Sequence, residues 1–214
     1  TAFAYPIAEG WRVRYFSPES EVPFCGHATI ALGAALAHQS GTGLFPLILN
    51  EATISVEGSV KDERFFAALQ SPPTKSEAIA VDDELMQSVL TLFSYTEDDL
   101  DFAIPPALAH AGADHLVITL NSREKLGMMD YDLEKGRQLM NEAGLVTIMF
   151  IYPETGQRFH TRNAFASGGV LEDPATGAAT AAFAGYLRDI NWPHGGSIEI
   201  IRGEDMGSKS LIRA

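Results

Sequence analysis

A sixteen-residue stretch occurs twice in this chain, and the repetition limits what the chain can fold into. Glu21-Val-Pro-Phe-Cys-Gly-His-Ala-Thr-Ile-Ala-Leu-Gly-Ala-Ala-Leu36 returns as Glu172-Asp-Pro-Ala-Thr-Gly-Ala-Ala-Thr-Ala-Ala-Phe-Ala-Gly-Tyr-Leu187, at a constant offset of 151 and with seven positions identical. The alanine matches carry little weight in an alanine-rich chain. The ordered frame Glu-x-Pro-x-x-Gly-x-Ala-Thr carries more. Each copy reads as a turn running into a helix of small residues. Two copies imply two similar domains, each presenting a helix N-terminus, with a site between them.

A length of 214 residues accommodates one large domain or two small ones. With 46% hydrophobic and 20% charged residues the composition is that of a globular protein. A net charge of −13 argues against a nucleic-acid partner, which needs a basic face. The acidic runs Asp82-Asp83-Glu84 and Glu97-Asp98-Asp99 read as solvated surface and lack the spacing of a calcium loop. The single cysteine, Cys25, excludes an internal disulfide and fits a reducing compartment. No apolar run approaches the roughly 20 residues that span a membrane, and no signal peptide is visible. A cytoplasmic protein without a membrane partner is expected.

Strands are expected at 2–6, 11–16, 47–50, 52–57 and 65–69, with a turn at Ser17-Pro18. Residues 28–37 carry no charge on any face, which predicts a helix buried all round. The polar, proline-bearing stretch 70–77 is the expected linker, giving domains 1–76 and 77–214. Beyond it, the spacing of Leu85, Met86, Val89, Leu90 and Phe93 predicts an amphipathic helix over 83–93. A second is expected over 131–143, ended by Gly144. Strands follow at 115–120, 146–152, 197–201 and 210–213, separated by the second small-residue helix. Strands without regular helical crossovers point to an α+β fold.

Gly26 and Gly177 occupy matched positions just before a helix. Glycine there permits close approach of a ligand, and the unbonded N–H groups of a first helical turn favour an anion. The same glycines also serve simple tight turns. His27 adjoins Gly26 and could share a proton with a substrate near neutral pH. Asp173 can cap or shape its turn, or orient a substrate group and move a proton. Cys25 reads as a small buried residue or as a thiol with a lowered pKa at a helix N-terminus. The remaining histidines lack metal-ligand spacing, so no metal is expected.

Three motifs in order give the chain a resemblance to the phenazine-biosynthesis PhzF-like family, within the diaminopimelate-epimerase-like superfold. They are Phe16-Ser-Pro with Glu21-Val-Pro-Phe-Cys-Gly-His-Ala-Thr, Gly169-Val-Leu-Glu-Asp-Pro-Ala-Thr-Gly-Ala-Ala, and Glu199-Ile-Ile-Arg-Gly-Glu-Asp-Met-Gly-Ser-Lys-Ser-Leu. The resemblance implies two pseudo-symmetric domains, each a barrel-like sheet around a central helix, acting without metal or organic cofactor as a homodimer. It implies an isomerase that moves a proton on a small carboxylate-bearing substrate held between two helix N-termini. His27 and Asp173 fall on the family's catalytic positions, and Cys25, Gly26, Gly177 and Ala178 on its substrate-binding turns. Ala178 replaces the family's serine, which puts the phenazine substrate itself in question.

The family's glutamate base would stand immediately upstream of Thr1, because Thr1-Ala-Phe3 matches the tail of its motif. The family also has further strands after the position of Ala214. Both ends are therefore expected to be cut, leaving either a fragment or an inactive truncation. Two other readings follow. One is a catalytically inactive small-anion binding protein. The other is a cysteine-based racemase or epimerase, whose second thiol would fall near Pro174.

Overall fold

The computed structural model describes all residues except 17–20, 23, 51 and 175, and the backbone alone of Val22. The turn expected at Ser17-Pro18 lies outside the described residues. The chain divides into two compact units, Thr1–Gln70 and Ser71–Ala214.

The first unit runs β1 (Ala2–Ile7), β2 (Gly10–Phe16), β3 (Glu21–Val22), α1 (Gly26–Ser40), β4 (Gly43–Ile48), β5 (Thr53–Lys61) and β6 (Arg64–Leu69). Its sheet has the order β1-β2-β4-β5-β6, with β3 attached to β2. Only β2 and β4 pair in parallel, so α1 is the crossover between them. The strands alternate: Val13 and Tyr15 point into the core with Leu36, Leu47, Leu49 and Val56, while Arg12 and Arg14 point away. Small residues let α1 lie directly on the sheet. A methyl group on Gly33 would stand 2.5 Å from Val56 Cγ2, and one on Gly58 would stand 2.5 Å from the Gly33 carbonyl oxygen.

The second unit runs β7 (Lys75–Ala78), α2 (Glu84–Phe93), β8 (Ala107–His110), β9 (Asp114–Thr119), α3 (Arg123–Gly127), α4 (Leu133–Glu142), β10 (Thr147–Pro153), β11 (Arg158–Ala164), α5 (Gly177–Asp189), β12 (Glu199–Arg202) and β13 (Ser210–Arg213). These strands form one sheet in the order β13-β12-β11-β10-β9-β8-β7. Parallel pairs β9/β10 and β11/β12 need crossovers, supplied by α3 with α4 and by α5 respectively. Because the sheet is covered on both faces, β9 and β10 are apolar throughout their centres. Leu116, Ile118, Ile148 and Phe150 pack with residues of α2 and α4, and Val117, Met149 and Ile151 pack with α5. Asp83 and Asp132 cap α2 and α4, accepting from the backbone N–H of Leu85 and Lys135. Asp99 closes a capping box with Thr96. These acidic residues are therefore structural.

Two expectations change. Residues 75–78 are not linker but strand β7, paired with β8, and the expected 76/77 boundary falls inside it. Its polar sequence reflects its place at the sheet edge, where charge discourages further pairing. The uncharged α1 is not buried all round within its unit. It buries Thr29, Gly33, Leu36 and Ala37 and leaves Ile30 37% exposed, because the sheet covers one side of it. In contrast, α5 buries Ala179, Thr180, Ala182, Phe183, Gly185, Tyr186 and Leu187.

Candidate active site

Both copies of the repeat fold into the same local motif. In the first, Glu21 pairs across the strands with Phe16, and Arg14, two residues earlier on β2, grips its carboxylate. Arg14 Nε donates to Glu21 Oε1 at 2.9 Å and an Arg14 terminal nitrogen donates to Oε2 at 2.6 Å. In the second, Glu172 bridges to Ala164, and Arg162, again two residues earlier, donates to Glu172 Oε2 at 3.0 and 2.6 Å. The matched glutamates are thus held by forked arginine pairs. Arg14, with Asn50 second, holds the Glu21 carboxyl down at about 2. The copies differ in depth. The side chains of Arg14 and Glu21 are 49% and 27% exposed, those of Arg162 and Glu172 only 12% and 5%. Arg162 also donates to the carbonyls of Gly127 and Met129.

After the glutamate each chain turns into its helix. Cys25 is the N-cap of α1 and Thr176, at the matched position, the N-cap of α5. The repeated threonine does the same work twice. Thr29 Oγ1 donates to the Cys25 carbonyl at 2.8 Å, and Thr180 Oγ1 to the Thr176 carbonyl at 3.3 Å. In the first unit Thr29 Oγ1 also bonds the buried Tyr15 hydroxyl at 2.5 Å. Neither N-cap side chain caps its helix, and neither first turn carries an acidic residue. The other long helices, α2 and α4, have both features. Among the described residues, then, no N-cap side chain or first-turn carboxylate occupies the first-turn N–H groups of α1 and α5.

On the first turn Cys25, Gly26 and His27 follow one another, with His27 exposed. The thiol lies 3.7 Å from His27 Nδ1 and 3.8 Å from Nε2. On the second turn Asp173, Gly177 and Ala178 are each half-buried. A methyl group on Gly177 would meet nothing within 4 Å among the described residues. Three strands fix this turn. The Asp173 N–H donates to the Asn163 carbonyl of β11 at 3.1 Å. Arg202 of β12 donates to the Asp173 carbonyl at 2.6 Å and the Thr176 carbonyl at 3.1 Å. Ser210 Oγ of β13 donates to the Pro174 carbonyl at 2.9 Å. Thr176 Oγ1 donates to Asp173 Oδ2 at 2.5 Å. Arg202 is 1% exposed, and burial pulls its guanidinium down to about 10, so it stays cationic at neutral pH.

The residues expected to carry chemistry thus fall on two turns, Cys25, Gly26 and His27 on one and Asp173, Gly177 and Ala178 on the other. Sequence reasoning missed Arg14, Arg162, Thr176 and Arg202. Strand alternation is the signal that could have paired each arginine with its glutamate, since both lie two residues before the glutamate's cross-strand partner. Among the described residues no group of three or more His, Cys, Asp or Glu has the disposition of a metal site. Nor, among them, is any helix long and apolar enough to cross a membrane.

A mixed α+β fold of two sheets defines the class, the fold of solved PhzF-family structures. More particularly, residues 1–214 match the model of the phenazine biosynthesis-like proteins, and the chain belongs to that family. It is 30% identical over 94% of its length to an uncharacterized isomerase of Mesorhizobium japonicum, covering 70% of that protein. It is 28% identical over 94% of its length to trans-2,3-dihydro-3-hydroxyanthranilate isomerase of Pseudomonas fluorescens, covering 69% of it. Its fold matches a PhzF-family phenazine biosynthesis protein of Bacillus anthracis with a TM-score of 0.83 at 17% identity, over 99% of this chain and 74% of that one. Among the curated relatives the share spanned by this chain falls as low as 60%.

Proposed function

We propose that this protein is an isomerase that moves a proton on a small carboxylate-bearing substrate, without metal or organic cofactor, as a cytoplasmic homodimer. Each of the N-terminal turns of α1 and α5, at Gly26 and Gly177, offers its backbone N–H groups to a carboxylate. The same groups stabilise negative charge that develops as a C–H proton leaves. His27 and Asp173 touch substrate and exchange the proton. Cys25 and Ala178 line the two turns. In the finer architecture of this reading, the two units are pseudo-symmetric barrel-like domains.

The observation that carries the proposal is the division of labour within the repeat. The matched glutamates are engaged by Arg14 and Arg162, so their carboxylates are occupied in holding the turns. Among the positions that differ between copies, those of His27 and Asp173 stand at the helix mouths. A symmetric two-thiol mechanism is disfavoured, because the second copy holds no cysteine near Pro174 and the chain's one thiol is Cys25.

The test is incorporation of solvent deuterium into trans-2,3-dihydro-3-hydroxyanthranilate and a panel of related unsaturated carboxylates. His27→Ala and Asp173→Asn should each slow exchange by about 10²–10⁴-fold with ligand binding kept. Anion binding with no exchange in the unsubstituted protein overturns the isomerase reading in favour of a binding protein. Exchange that survives both substitutions but is lost in Cys25→Ser overturns it in favour of thiol chemistry.

A further inference from the structure

We propose that Arg202 is a positioning residue for Asp173, acting through the hydroxyl of Thr176; this rests on the reading that Asp173 handles substrate. One Arg202 terminal nitrogen donates to both the Asp173 carbonyl, at 2.6 Å, and Thr176 Oγ1, at 3.0 Å. The other donates to the Thr176 carbonyl at 3.1 Å. A guanidinium can only donate, so Thr176 Oγ1 accepts from it. The single hydroxyl hydrogen is then directed at Asp173 Oδ2, 2.5 Å away. Oδ2 is thereby held as an acceptor, and the guanidinium fixes the orientation of the Asp173 carboxylate through that hydroxyl, at one remove.

The motif does not need an arginine there to fold. In the first unit Ile48 stands opposite Arg12 across the parallel pair; in the second, Ile201 stands opposite His160. Arg12 and His160 each lie two residues before the clamping arginine, so the next residues along, Leu49 and Arg202, correspond. Leu49 is a buried apolar side chain, 6% exposed. A turn on the same frame is therefore built over leucine in one unit and over a buried cation in the other. A buried charge is costly unless its partners are good. Arg202 accepts this with its Nε unpartnered among the described residues. Ser210 and the Asn163 carbonyl already tie the same turn from neighbouring strands. The distinctive product of Arg202 is the orientation of Thr176 and Asp173.

The test compares Thr176→Val, which keeps the shape and loses the hydroxyl, with Thr176→Ser, which restores it, and with Arg202→Lys, which keeps the charge and loses the fork. Crystal structures of the intact protein are the first readout and need no turnover. The Asp173 carboxylate should leave its present orientation in Thr176→Val and Arg202→Lys and keep it in Thr176→Ser. An unmoved carboxylate in Thr176→Val overturns the proposal; so does a displaced one in Thr176→Ser. The second readout is deuterium exchange into whichever of the tested carboxylates the protein turns over. Thr176→Val should lower kcat by about 10–100-fold with KM within about threefold, Thr176→Ser should recover it, and Thr176→Val should add nothing in an Asp173→Asn background. Additive losses there overturn the proposal. Full activity of Asp173→Asn overturns the functional reading instead, leaving the structural readout to decide the positioning.

Discussion

The two copies of the repeat begin alike and end differently. Each has a forked arginine on a strand, a glutamate two positions past it across the pairing, a glycine turn, and a threonine bonding back to the helix N-cap. In the first unit the clamp is exposed, one side of the helix is covered and the residue beneath the turn is Leu49. In the second the clamp is buried, the helix is enclosed and Arg202 replaces the leucine. Short-range sequence sets the path of the turn. The depth at which that path is embedded sets how much energy each shared contact holds.

The sharpest way to break this comparison is to cut the clamp in each unit. Arg162→Met strands a nearly buried carboxylate and should cost about 3–5 kcal/mol of stability in urea unfolding. Arg14→Met, at the exposed copy, should leave the midpoint almost where it was. Equal effects would mean that burial does not separate the two copies.

Acid offers a second route, because only the second unit encloses a histidine. His115 is fully buried on β9, bonded through Nδ1 to Thr147 Oγ1, and burial lowers it to about 4. An unfolded histidine titrates near 6.5. Between those values the unfolded chain binds the extra proton, so stability present above pH 6.5 is lost as pH falls towards 4. The loss should reach about 3 kcal/mol. Urea titrations across that range should show it, and His115→Gln should flatten the slope. The first unit's two histidines, His27 and His38, are both exposed.

The smallest effect comes from the glycines. Gly33→Ala drives a methyl group to 2.5 Å from Val56 Cγ2 and 2.9 Å from Ala67 Cβ, and should cost about 1–3 kcal/mol in thermal melts. Gly177→Ala meets nothing within 4 Å and should leave stability unchanged. A reversed order would place the tight helix–sheet contact in the wrong unit.

Much of this architecture was legible from sequence, for reasons that differ by element. Helices α2 and α4 carry helical periodicity with aspartate caps at Asp83 and Asp132, so local signals agree. Both glycine turns were readable because the repeat marks them. Strand β11 was not, since its inward residues Thr161 and Asn163 are polar and break the usual alternation. Strand β8 is Ala-Leu-Ala-His, small residues that fit beneath α5 but have little strand preference. The partial exposure of α1 depends on how far the surrounding sheet extends, which composition does not encode. The candidate site was legible in sequence only in the residues that the repeat itself marks. Cys25, Gly26, His27, Asp173, Gly177 and Ala178 are marked by the frame. Arg202 lies at the end of an ordinary Glu-Ile-Ile-Arg strand, and its partners arrive from residues 173–176 only on folding.

The clamped glutamates also give the turn the character of a socket. A socket is useful because its contents can be exchanged without rebuilding the wall. The frame is closed by backbone pairing, an arginine fork and a threonine that bonds back to the N-cap carbonyl. The same wall carries Cys25, Gly26 and His27 in one copy and Thr176, Gly177 and Ala178 in the other. One frame in this way serves two turns whose chemistry differs.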